Sequence, residues 1–142
     1  MFVLDTNVVS ELRRARSGTA DRQVIEWARS VRPTSLFLSA ITVLELELGV
    51  RLVERRDPAQ GAVLRAWLDV QVLPTFSGRL LAVDTQVALE CARLHVPNPR
   101  AERDALIAAT ALVHGMSVVT RNVGDFASTG VEVLNPWAPQ HR

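Results

Sequence analysis

The sequence begins with Met1 followed by Phe2-Val3-Leu4-Asp5-Thr6-Asn7, and this stretch decides the fold. Its three apolar residues show no alternation with polar ones, which is typical of a short strand buried on both faces, as in parallel sheets. Asp5 follows this strand directly. Because open parallel sheets bind ligands at the carboxyl ends of their strands, Asp5 is the first candidate site residue.

Short apolar runs alternate with helical patterns along the rest of the chain. Further strands are predicted at 35–39, 116–120 and 131–134, with another short apolar run at 80–83. Helices are predicted after a cap at Asn7 and at 19–30, 40–55, 59–72, 84–95 and 101–114. This order implies crossover connections and a mainly parallel sheet covered by helices on both faces. With no linker or repeat, residues 1–142 are predicted to form one α/β domain.

Composition narrows the class of protein. The chain has 142 residues, 48% of them hydrophobic, and a single cysteine, Cys91, which cannot form an internal disulfide and is predicted to be a core thiol. The opening apolar run is too short for a signal peptide, and no segment approaches the roughly 18 apolar residues of a membrane span. We therefore expect a soluble cytoplasmic protein.

The basic residues exclude two classes of phosphate site. All 16 of them are Arg and none is Lys. Walker-type phosphate loops and the phosphoacceptor sites of receiver domains both need a Lys, so neither is expected here. The net charge of +1 argues against a large basic nucleic-acid surface, although Arg13, Arg14 and Arg16 could hold phosphates locally.

Asp104 is a candidate because of its position on a helix. It shares an apolar stripe with Ile107, Ala108 and Ala111, which is expected to pack inward. A carboxylate on such a face is costly unless it is paired or holds a cation. A buried ion pair with Arg100 or Arg103 is the alternative.

Two further acids are separated by their surroundings. Glu47 has Arg51 one helical turn later, which predicts a solvated ion pair. Glu45 instead has apolar neighbours, namely Ile41, Leu48, Gly49 and Leu52, and is the better site candidate. The loop that follows the strand at 116–120 carries Asn122 and Asp125, which can reach the same edge of the sheet as Asp5.

Four blocks of this sequence together resemble the PIN domains of VapC-type toxins. They are LDTN at 4–7, SAITVLELELG at 39–49, DALIAATA at 104–111, and Thr120-Arg121-Asn122 with Asp125-Phe126. The closing Asn135-Pro136-Trp137 resembles the FitB branch. The resemblance covers nearly the whole chain. It implies a three-layer α/β/α toxin of a type II toxin–antitoxin system that hydrolyses RNA with Mg²⁺ or Mn²⁺.

The resemblance also implies roles for individual residues. Asp5, Glu45 and Asp104 match the three most constant acids of such sites, and Asp125 is expected to be the fourth because residue 122 is Asn. Since Mg²⁺ keeps several waters, Asp5 and Asp104 are expected to contact the metal directly and Glu45 and Asp125 to act through water. Thr6, Asn7, Thr120 and Asn122 are expected to support the acids by hydrogen bonding.

The three histidines are not expected to act as the general base. His95 and His114 end helices, and His141 lies in the tail. The attacking water would then be activated by one or two bound cations.

Partners and alternatives complete the prediction. The helix at 40–55 is apolar on more than one face, so it is either deeply buried or shared with a second subunit; the resemblance favours a homodimer and implies a VapB-like antitoxin near the acids. A non-catalytic PIN-like module that binds RNA or a protein is the alternative function. A haloacid-dehalogenase-like phosphatase is disfavoured because it would need an acid in place of Asn7 and a Lys.

Overall fold

A five-stranded parallel sheet lies at the centre of the protein, whose computed structural model describes residues 1–139. The strand order is β3-β2-β1-β4-β5. Phe2 of β1 is in register with Leu36 of β2 on one side and Ser117 of β4 on the other. The strands are β1 (Phe2–Leu4), β2 (Leu36–Ser39), β3 (Leu80–Leu81), β4 (Ser117–Val119) and β5 (Val133–Leu134).

Helices follow or connect the strands, as the crossover rule for parallel sheets requires. They are α1 (Thr6–Arg13), α2 (Arg22–Ser30), α3 (Ala40–Arg56), α4 (Pro58–Ala66), α5 (Leu73–Thr75), α6 (Thr85–Leu94) and α7 (Glu102–His114). A π-helical segment, Trp67–Val72, joins α4 to α5, and 3₁₀ turns form at Pro33–Ser35 and Val123–Phe126. The last helix ends where predicted, because Gly115 adopts the left-handed conformation that caps it.

The core has two parts, one on each face of the sheet. Val3 and Val118 pack on one face with residues of α6 and α7, whereas Leu4 and Val119 pack on the other face with residues of α1, α2 and α3. Successive residues of a strand point to opposite faces, so β1 contributes to both. Val3 and Leu4 are fully buried. The predicted α/β/α layering and the strand buried on both faces are confirmed.

Three predicted helix boundaries differ from the structure by more than one residue. The first helix is capped by Asp5 and not by Asn7, because Asp5 has the extended conformation of a cap and its carboxylate accepts the N–H of Thr6. The second helix begins at Arg22, since the Asp21 carboxylate accepts the N–H groups of Gln23 and Val24.

The third difference lies near Pro74, where the helical segment predicted to end at residue 72 continues to Thr75. In the π-helical turn the N–H of Leu73 bonds to the carbonyl of Leu68, five residues earlier. The wider turn accommodates a proline that has no N–H to donate.

No helix within residues 1–139 is long and apolar enough to cross a membrane. His141 lies outside the described residues.

Candidate active site

Asp5 stands at the carboxyl end of the central strand and is 94% shielded from solvent, with 6% of its surface exposed. One carboxylate oxygen accepts the backbone N–H of Thr6 at 2.8 Å. The other accepts the hydroxyl of Thr120 at 2.7 Å and, more weakly, the side-chain amide of Asn7 at 3.4 Å. Both oxygens are therefore held in place by neighbours at the ends of β1 and β4.

Thr120 is the centre of this hydrogen-bond network. Its hydroxyl donates to Asp5 and accepts from the backbone N–H of Asn122 at 3.0 Å and the amide of Asn7 at 3.3 Å. The amide oxygen of Asn7 in turn accepts the N–H of Arg121 at 3.3 Å. Thr120 and Asn7 thus lie where the expected support of Asp5 requires, whereas Asn122 contributes its backbone.

Glu45 comes from the helix that follows β2. The hydroxyl of Thr6 donates to one oxygen of Glu45 at 2.7 Å, and Nη1 of Arg103 lies 3.7 Å from the other oxygen. Thr6 therefore links the two acids, because its backbone N–H binds Asp5 and its hydroxyl binds Glu45. Glu47 faces elsewhere and pairs with Arg51 and Arg65, as expected for a residue outside the site.

Asp104 lies in the first turn of α7, close enough to the three other acids for their charges to act on its carboxylate. Burial, followed by the negative charges of Asp125, Asp5 and Glu45, raises the pKa of Asp104 to about 6. Burial also raises the pKa of Asp5, partly opposed by the hydrogen bonds from Thr120 and Thr6. The four predicted acids are thus brought to the same edge of the sheet.

The alternative to a metal site is a buried ion pair between Asp104 and an arginine. Asp104 forms no such ion pair within residues 1–139. Arg100 donates to the carbonyls of Leu94 and Ala127, and Arg103 faces Glu45. Within the described part of the chain, Asp104 therefore lies near three other carboxylates and pairs with no arginine.

Comparison with known proteins identifies the family of this chain. The family model described as "PIN domain" matches residues 2–131. The chain belongs to the PIN domain family. It is 37% identical over 144 residues to VapC ribonuclease Y4jK of Sinorhizobium fredii, covering 98% of this chain and 99% of that one. It is 39% identical over 142 residues to toxin FitB of Neisseria gonorrhoeae, covering 96% and 99%.

A solved structure of FitAB bound to an IR36 DNA fragment is also similar to this PIN domain. The TM-score is 0.89 at 38% identity, and the match covers 99% of both chains. The resemblance to VapC-type PIN domains and to the FitB branch is therefore confirmed.

The acid cluster of this PIN domain fits a hydrated divalent cation. Four carboxylates at one edge repel one another, and a hard cation with oxygen ligands offsets that repulsion. Among the described residues, no three of these acids have oxygens that all lie within 4.8 Å of one another. Waters would have to complete the coordination, which is what Mg²⁺ prefers. A more compact group of possible metal ligands lies elsewhere among the described residues.

That compact group consists of Cys91, His95 and Glu102, and sequence analysis did not single it out. Nε2 of His95 lies 3.1 Å from Glu102, and Sγ of Cys91 lies 3.9 Å from the same carboxylate. However, Nδ1 of His95 accepts the backbone N–H of Arg100 at 3.2 Å, which places the imidazole proton on Nε2. Nε2 then has no lone pair for a metal. We therefore interpret the group as a structural contact between the end of α6 and α7. Burial raises the pKa of the Cys91 thiol, in keeping with a core residue.

Proposed function

We propose that this PIN domain is the toxin of a type II toxin–antitoxin system and a metal-dependent endoribonuclease. Asp5, Glu45, Asp104 and Asp125 form its catalytic cluster. The observation that carries the proposal is the convergence of these carboxylates: Thr6 links Asp5 to Glu45, and Asp104, whose pKa burial raises, lies close enough for the charges of the three other acids to raise that pKa further. The family match and the named ribonuclease and toxin relatives support the reaction and its biological role.

The four acids have different parts in this proposal. Asp5 and Asp104 would hold Mg²⁺ or Mn²⁺ directly, and Glu45 and Asp125 would hold it through water. A bound divalent cation supplies a water activated for attack and offsets charge on the phosphate as the P–O bond breaks. Thr120 and Thr6 keep Asp5 and Glu45 oriented through the hydrogen bonds described above, so the cluster needs little rearrangement to bind the ion.

The proposed inhibitor is a VapB-like antitoxin, because the chain is similar to toxin FitB and to solved structures of FitAB bound to an IR36 DNA fragment and of FitAcB. A cavity of ≈ 310 Å³ runs from Thr6 and Glu45 to Leu64 and Trp67, between α1, α3 and α4. An antitoxin segment placed there would block access to the acids. The cytoplasm, where the RNA substrate is found, is the proposed location.

A homodimer is also part of the proposal. Leu44, Leu48 and Leu52 stand four residues apart on α3 and are 46%, 38% and 56% exposed. This spacing places them on one face of the helix. A second copy of the chain would cover that apolar stripe.

The decisive experiment measures cleavage of a fluorescent RNA with Mn²⁺ before and after addition of EDTA. EDTA should abolish cleavage, and Asp104→Asn should lower the rate by at least about 100-fold, since the cation is then held less well. Circular dichroism should show that this variant keeps its fold.

Glu47→Gln is the matched control. It also converts an acid to an amide, and Glu47 lies two residues from Glu45 in sequence but outside the cluster. This variant should cleave RNA at close to the normal rate. Cleavage that survives both EDTA and Asp104→Asn would contradict the proposal. Binding of RNA without cleavage in any metal would instead favour the non-catalytic PIN-like module.

A further inference from the structure

Arg103 is a basic side chain that faces the acid cluster. It precedes Asp104 in the first turn of α7, its side chain is 50% exposed, and its guanidinium lies 3.7 Å from Glu45. This contact is longer than a hydrogen bond. A positive group therefore stands at the edge of the cluster, in contact with both solvent and one of the acids.

Four other arginines have partners of their own. Arg13, which lines the cavity beside Thr6 and Glu45, lies over the Trp67 ring at 5.8 Å. Arg100 donates to two carbonyl oxygens and to the hydroxyl of Ser128. Arg121 stacks on Trp137 at 5.2 Å. Arg65 forms hydrogen bonds with both Glu47 and Glu54. Within residues 1–139, Arg103 has only its long ion pair, so its five N–H donors remain available for a ligand.

An RNA phosphate must approach this cluster closely if the cluster cleaves RNA. Four carboxylates carry more negative charge than one divalent cation offsets, so the approaching phosphate still needs a positive partner from the protein. A guanidinium suits that task because its planar N–H groups match the oxygens of a phosphate. When Glu45 is neutralised by a bound cation, its attraction for Arg103 also decreases.

We propose that Arg103 is a substrate-binding residue that exchanges its ion pair with Glu45 for an RNA phosphate next to the acid cluster. This inference rests on the proposed function. It differs from a role in merely holding Glu45, because it requires direct contact with RNA. The two roles predict different effects of removing the charge.

Arg103→Gln should weaken the binding of RNA without weakening the binding of Mn²⁺. RNA should bind less tightly, whereas Mn²⁺ should bind equally well or more tightly because a repelling positive charge has gone. If Arg103 only held Glu45, the same change would weaken Mn²⁺ binding and leave RNA affinity unaltered. Isothermal titration of Mn²⁺ into the otherwise unaltered protein measures the first quantity.

RNA affinity is best measured in the Asp104→Asn background, where the proposed function predicts no cleavage. We would follow the fluorescence anisotropy of a labelled single-stranded RNA over a series of salt concentrations. Adding Arg103→Gln should weaken binding about tenfold, the effect of losing one charge-assisted contact. The slope of log K against log salt should become shallower by about 0.7, the value for one phosphate of a single strand. Arg103→Lys should restore the slope and part of the affinity.

Arg56→Gln is the matched control, since it removes the same charge from an exposed position 11 residues after Glu45. That spacing corresponds to roughly 16 Å along α3. It should leave RNA affinity and the salt slope unchanged. An equal loss in Arg56→Gln, an unchanged slope in Arg103→Gln, or weaker Mn²⁺ binding in Arg103→Gln would each overturn the inference.

The proposed function is tested separately by RNA cleavage with the unaltered protein. Absence of that cleavage would contradict the nuclease, while the binding measurements would still decide the role of Arg103.

Discussion

Asp5 has two roles that the fold makes compatible. Its carboxylate caps α1 through the N–H of Thr6 and at the same time lies at the edge of the sheet with the other acids. Burial of this group is costly, and the Thr120 hydroxyl and Thr6 N–H reduce the cost by binding the ionised form. A helix cap has thereby become part of a candidate metal site.

Thr120 provides a test of this support. Thr120→Val keeps the shape of the side chain but leaves one oxygen of Asp5 and the N–H of Asn122 without their strongest partner. We expect the free energy of unfolding to fall by about 1–3 kcal/mol, measured by urea denaturation. Thr120→Ser keeps the hydroxyl and should lose much less. Equal stability of the two variants would show that the hydroxyl contributes little.

Sequence reasoning could place the acids but not all their contacts. Asp5 and Asp125 follow strands, and Asp104 lies on an inward helical stripe, so local patterns indicate a common edge. The hydrogen bond from Thr6 to Glu45 joins residues 39 positions apart, and the ion pair of Arg103 joins α7 to α3. Both depend on how helices pack against each other, which periodicity does not specify. Sequence alone does not separate Asp5 from Asn7 as the cap of α1, because Asp and Asn are equally good capping residue types.

At the level of elements, the pair α3 and α4 is held together by packing and by charge. Arg65 of α4 binds Glu47 and Glu54 of α3 at 2.7 and 3.1 Å. The hydrogen bond from Arg65, with a smaller contribution from Arg51, lowers the pKa of Glu47 to about 2. Gly61 allows the two helices to approach, because a side chain there would meet the Glu54 backbone.

Two glycine substitutions separate close packing from helix propensity. A Cβ at Gly61 would lie 2.5 Å from Cα of Glu54, so Gly61→Ala forces the helices apart and should destabilise the protein by about 1–3 kcal/mol. A Cβ at Gly49 meets nothing within 4 Å, so Gly49→Ala should stabilise it by about 0.5–1 kcal/mol. Urea denaturation of both variants is the measurement. Effects of the same sign would contradict the packing argument.

The limits of the elements were predicted well where the sequence contains a strong local signal. Gly115 ends α7 and Asp84 caps α6, as expected from their residue types. The π-helical segment before Pro74 has no such signal, because it arises from the need to bury Leu68 and Val72 while passing a proline. Strands β2 to β5 are shorter than the apolar runs that predicted them. An apolar run indicates which residues are buried, but it does not indicate which of them form hydrogen bonds to a neighbouring strand.

At the scale of the whole molecule, the alternation of strands and helices was enough to predict one parallel sheet with two helical layers. The function required more, because many α/β folds place acids at a sheet edge. The order of four motif blocks supplied the family, and the similarity to FitB and VapC ribonuclease agrees with it.

The exposed stripe on α3 gives the last prediction. Leu48 lies at the centre of the stripe, so Leu48→Glu would place a charge in the proposed dimer interface, where its desolvation opposes association. Light scattering after gel filtration should show a dimer for the unaltered protein and a monomer for this variant. Leu89→Glu is the control, because Leu89 is 68% exposed on α6, outside the stripe, and should leave the mass unchanged. A monomeric unaltered protein, or a Leu48→Glu variant that remains dimeric, would exclude this face as the dimer interface. If the interface also positions the two acid clusters for RNA, the monomeric variant should cleave RNA more slowly while it binds Mn²⁺ normally.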